Sequence, residues 1–153
     1  MAIKRGFGFP IESRVAFPQG LVLMGEISQK TKYNPDRTAL PEPVYDIDKE
    51  GQGTGLPVWK AMVTDPDQEK ATQASFEIEF VSSHQPVPAS PEIVPGTGMR
   101  MIELEGLTAE PMVVRKGSGD KNFSFVSYKF RATGIKGDNN TPKANAANGS
   151  KAA

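Results

Sequence analysis

Hydrophobic and polar residues alternate through much of the chain. In residues 55–67, GLPVWKAMVTDPD, Trp59, Ala61 and Val63 share one side, and Val58, Lys60, Met62 and Thr64 the other. Period two predicts a strand with one buried and one wet face. Gly55 and Pro57 open it, and the DPD at 65–67 closes it with a turn. Four further strands follow the same rule. Residues 20–32 turn Leu21, Leu23 and Ile27 inward, with Gly25 on that side marking a bulge or bend. Residues 74–82 alternate Phe76, Ile78 and Phe80 with Glu77 and Glu79. Residues 98–107 put Ile102 and Leu104 inside and Glu103 and Glu105 outside, and 108–114 extend that strand or turn its corner. Residues 123–136 put Val126, Tyr128, Phe130 and Ala132 inside, and Phe125, Ser127, Lys129 and Arg131 outside.

The connections differ in kind. Residues 33–54 carry three prolines and the acidic DIDKE at 46–50, and loops of this length tend to be functional or mobile. The GQGTG at 51–55 precedes a strand rather than a helix, so it is no dinucleotide fingerprint. Four prolines in 83–97 exclude a regular helix beyond one turn near 91–93. RKGSGDKN at 115–122 is a basic, glycine-rich turn. Five one-sided strands and no convincing helix predict an all-β, five-stranded antiparallel Greek-key barrel. It would be like the oligonucleotide/oligosaccharide-binding (OB) fold, closed so that no edge is left exposed. A small Greek-key sandwich is the alternative. Residues 1–14 read as an N-terminal arm and 15–136 as the barrel. Residues 137–153 contain no large apolar residue and read as a disordered tail. In the arm, Lys4 and Arg5 alternate with Phe7 and Phe9; the rings either stack on a nucleic acid or tuck onto the domain as an anchor.

Composition narrows the chemistry. A hydrophobic share of 37% implies a core small for 153 residues. Eighteen basic residues balance eighteen acidic ones, so nucleic-acid binding would need a local patch. Without cysteine there is no disulfide, thiolate metal site or thiol chemistry. No apolar run is long enough to span a membrane, and Glu12 and Arg14 interrupt any signal-like start, so a cytoplasmic location is expected. Catalysis is not expected. His84 is the only histidine and reads as a solvated loop residue with no nucleophile motif beside it. Asp46, Asp48 and Glu50 have the opening spacing of a calcium loop, but its glycine and closing glutamate are misplaced. No cofactor or metal is expected.

What remains is a binding surface. OB domains bind through strands two and three and the loops joining strands one–two and four–five. Those loops carry Lys30, Lys32 and Tyr33, and Arg115, Lys116 and Lys121. Lysine and arginine would meet phosphates, and Tyr33 and Phe125 would stack on bases. Lys60, Lys129 and Arg131 lie on outer strand faces, where they complete the basic set or neutralise Glu77 and Glu79. Single-stranded DNA is the expected partner. A protein-interaction module on the same scaffold is the alternative, favoured if Glu77 and Glu79 break the basic track. Trp59 faces inward and is assigned to the core.

FPQG at 17–20, GLPVW at 55–59, TDPD at 64–67, ELEGLT at 103–108 and FRATGI at 130–135 together resemble another pattern. They are similar to the plasmid replication, integration and excision activator family of actinomycete plasmids and integrative elements. The resemblance covers roughly residues 15–136 and includes no catalytic motif. It implies a small regulatory or accessory protein of a mobile element, with a replication or integration protein as a further partner.

Overall fold

The computed structural model describes residues 7–138. In chain order these form β1 (Phe9–Pro10), α1 (Ser13–Ala16), β2 (Leu21–Gln29), β3 (Val58–Thr64), α2 (Ala71–Ala74), β4 (Ser75–Val81), β5 (Arg100–Ile102), β6 (Leu104–Glu105), β7 (Thr108–Lys116), β8 (Phe123–Ala132) and β9 (Gly134–Ile135). The protein is mostly β, and each helix is a single turn. One sheet has seven strands in the order β1-β7-β8-β4-β3-β2-β5, and β6 pairs with β9 in a second.

Strands β2, β3 and β4 form an antiparallel meander. Leu21, Leu23 and Ile27 of β2, Ala61 and Val63 of β3, and Ile78 and Phe80 of β4 are buried in one cluster with Phe17, Ile102, Leu104 and Ile135. Gly25 has a φ of 86°, and the β2–β3 register shifts between Met24 and Ser28. This is the expected bulge; its positive φ suits glycine, and the bulge turns Gly25 out to solvent.

Three features depart from the sequence reading. The sheet is mixed, because the chain crosses from β4 to the far edge and β8 returns beside β4 in the same direction. The expected fourth strand is broken into β5, β6 and β7. It begins beside β2 and ends beside β8. Between them the Leu104 N–H donates to Ser13 Oγ at 3.1 Å, and Gly106 turns the chain with a φ of 62°. A Cβ on Gly106 would run into the Thr133 side chain. With its ladder interrupted at these points, the sheet does not close into a barrel. Finally, Val126 and Tyr128, expected in the core, are 63% and 53% exposed. The β4–β8 pairing covers only Glu79↔Arg131 and Phe80↔Ala132, so the β7–β8 hairpin projects past the layer that would bury them.

The connection between β2 and β3 is ordered by returning along the sheet. Isolated bridges join Thr31 to Pro43 and Tyr45 to Pro57, and the Val58 N–H donates to the Val44 carbonyl at 3.0 Å. Val58, on the expected wet face, is buried as a result. Residues 7–14 lie against the domain: Phe9 and Pro10 pair with Ala109 and Thr108, and the Ile11 N–H donates to the Leu107 carbonyl at 3.1 Å. The Phe7 and Phe9 rings meet edge-on at 5.2 Å and stay 46% and 42% exposed. Lys4 and Arg5 of the arm, and the tail from residue 139, lie outside the described residues.

Candidate nucleic-acid interface

The outer face of the meander carries a compact ionic cluster. Glu79 stands in register with Lys60 on β3 and Arg131 on β8. Alternation puts it outward, yet it is only 4% exposed. Lys30 donates to Glu79 Oε2, Arg131 Nη2 donates to Oε1 at 2.8 Å, and Lys129 Nζ lies 3.5 Å from Oε1. Arg131 Nη1 donates to Asp46 Oδ1 at 3.0 Å. Burial pushes the Glu79 carboxyl up. The hydrogen bonds from Lys30 and Arg131 and the charge of Lys129 outweigh it and bring the pKa down to about 2. The Asp46 carboxyl is also held below its usual range: burial raises it, and Thr54 and Arg131 more than reverse that.

Three of the expected phosphate ligands, Lys30, Lys129 and Arg131, are therefore committed to carboxylates. Lys32 Nζ donates to Glu42 Oε1 at 3.1 Å. Tyr33 is 92% exposed. Lys60 is exposed beside a shallow recess whose rim also carries Glu26 and Glu77. Acidic groups thus interrupt the outer face at Glu77 and Glu79. The acidic loop is organised rather than simply solvated: Asp48 Oδ1 accepts the Gln52 and Glu50 N–H groups at 2.7 and 3.0 Å, and Asp46 Oδ2 accepts the Thr54 hydroxyl at 2.8 Å.

The hairpin tip is different. Arg115, Lys116 and Lys121 are all exposed there, the last in a 3-10 turn, Gly119–Lys121. Phe123 and Phe125 alternate on one face of β8 and stack, with centroids 6.2 Å apart and planes at 25°. Lys116 Nζ lies 5.8 Å from the Phe125 centroid, within cation–π range. Arg115, Lys116, Asn122 and Phe123 bound a recess of about 440 Å³. Cationic side chains beside stacked rings can bind phosphate and base together. The Phe123 ring adds to the candidate set, and its two-residue spacing from Phe125 was the available signal.

The two basic loops do not meet. Lys30 contacts Glu79, which is in register with Arg131; Phe123 lies eight positions earlier on the same strand. At about 3.3 Å per residue that is roughly 26 Å. Lys30, Lys32 and Tyr33 mark one end of the sheet, and Arg115, Lys116, Lys121 and Phe125 the other.

His84 is not a solvated loop residue. Its Nδ1 lies 3.3 Å from Ser82 Oγ and its Nε2 3.2 Å from Asp138 Oδ2. Ser82 is buried, and its Oγ also accepts the His84 N–H at 3.3 Å, which makes this constellation a clamp between chain segments. Asp138 Oδ1 accepts the Val87 N–H at 3.0 Å. The expectation that nothing from Gly137 onward packs therefore fails at Asp138. Asp138→Ala should lower stability by about 1–3 kcal/mol by stranding the Val87 donor. A thermal melt superimposable on wild type would show that the clamp contributes nothing.

Among the described residues no helix is long and apolar enough to cross a membrane. Comparison with protein-family models, curated proteins and solved structures finds no match.

Proposed function

We propose that this chain is a single-stranded nucleic-acid-binding accessory protein that uses the tip of its β7–β8 hairpin. One observation carries the reading: Phe123 and Phe125 stack on each other with Lys116 over the second ring. Arg115 and Lys121 are exposed at the same hairpin tip. The strand order β2-β3-β4-β8-β7, with β4 and β8 parallel, supports an OB-like reading of the open sheet. OB barrels are themselves partly open. Single-stranded DNA in the cytoplasm is the proposed partner and setting, and replication or transfer of a plasmid or mobile element the proposed context. No catalytic role is proposed. A second reading, a protein-interaction module for a replication or integration protein, is favoured by exposed Val113, Val126 and Tyr128 on the hairpin and by the interrupted outer face.

Fluorescence polarisation with a labelled single strand of about 12 nucleotides separates these readings. Each phosphate contact adds about −0.7 to the slope of log K against log salt. Replacing Arg115, Lys116 and Lys121 with alanine should flatten the slope by up to about 2 units. Phe125→Ala should weaken binding by about 1–3 kcal/mol and leave the slope alone. Lys32→Ala should do neither, because Lys32 is paired with Glu42 at the other end of the sheet. Absence of salt-sensitive binding by wild type at low salt would replace this reading with the interaction module.

A further inference from the structure

Strands β4 and β8 pair at only two positions and then splay, leaving a cleft between the hairpin and the turn that joins β3 to β4. Its volume, about 580 Å³, falls within the usual range for small-ligand sites, about 300–1,000 Å³. Phe125, Tyr128 and Phe130 line the hairpin side, and Gln68 and Gln73 the turn side. The Phe130 ring is fixed by Phe17 at 5.0 Å and Phe76 at 5.6 Å, and Tyr128 lies 6.3 Å from it, so the aromatic wall rests on the core. The backbone N–H groups of Gln68 and Gln73 donate to Asp65 and Lys70 carbonyls, which sets the turn. Both glutamines are exposed residues that line the cleft. Lys116 borders both this cleft and the recess at the tip.

We infer that the cleft takes one unstacked base of the bound strand and that the amides of Gln68 and Gln73 read its edge. The next base lies on Phe123 and Phe125, and the phosphate between the two bases meets Lys116. An amide offers an adjacent donor and acceptor, matching the hydrogen-bonding edge of a base, whereas stacking alone is sequence-tolerant. The inference rests on the hairpin reading and adds base preference to it.

The test titrates labelled dT, dA and dC homo-oligomers of about 12 nucleotides against wild type and the Gln68→Ala/Gln73→Ala double variant. Wild type should prefer one homopolymer by about tenfold, and the variant should narrow that to about twofold, with salt slope and melting temperature unchanged. Equal affinity of wild type for all three, or a preference that survives in the double variant, overturns the inference and leaves the hairpin reading standing. If no oligomer binds at all, the hairpin reading falls and the inference with it.

Discussion

Glu79→Gln should destabilise the protein by about 2–4 kcal/mol at neutral pH. The substitution keeps the shape and removes the charge, so Lys30 and Lys129 lose the counter-ion they share and Arg131 keeps only Asp46. Their side chains keep 33%, 42% and 37% of their surface, so water relieves part of the strain and the cost falls below that of breaking a fully buried pair. The same cluster fixes a pH dependence. The Glu79 carboxyl is depressed from 4.5 to about 2 on folding. Its stabilisation is complete above the unfolded value of 4.5 and is lost as pH falls from there through about 2. Urea titrations near pH 7 and pH 3 should show wild type losing more stability between the two than the glutamine variant. Equal losses in both proteins, or an unchanged urea midpoint near pH 7, would mean that the cluster does not hold the sheet together.

Trp59→Ala should cost about 3–5 kcal/mol. The indole packs against the core opposite Phe80, and its Nε1–H donates to the Ser82 carbonyl at 3.0 Å. Trp59→Phe should recover most of the packing but strand the carbonyl, at about 1–3 kcal/mol. Circular dichroism follows both variants in urea, since the substitutions remove the only tryptophan. A normal melt for Trp59→Ala combined with lost binding would reassign the ring from the core to the ligand.

The inner face of the meander was readable because alternation reports which side of a strand faces its neighbours. Leu21, Leu23, Ala61, Val63, Ile78 and Phe80 are all buried as that pattern predicts. Alternation does not report whether a layer exists to cover a face. Val126 and Tyr128 follow the inward pattern and end exposed, because the hairpin outruns β4. Glu79 and Val58 follow the outward pattern and end buried. Glu79 is enclosed by Lys30, just past the end of β2, and by Lys129 and Arg131 of β8, with Arg131 held in turn by Asp46, and Val58 lies against the segment around Val44. These are contacts between residues far apart in the chain, with no local signal. The break at residues 103–107 depends on Ser13 capturing the Leu104 N–H, again a distant partner. The sequence does not say which of the ten candidate binding residues pair with carboxylates. Register and ion pairing divide them, leaving Arg115, Lys116, Lys121 and Phe125 together at the hairpin.

Hydrogen–deuterium exchange with and without a saturating single-stranded oligonucleotide tests the central claim most directly. Binding at the tip predicts added protection across residues 113–128 and little change at residues 28–33. Protection centred on residues 28–33 and the outer face of β3, with the hairpin unchanged, would contradict it.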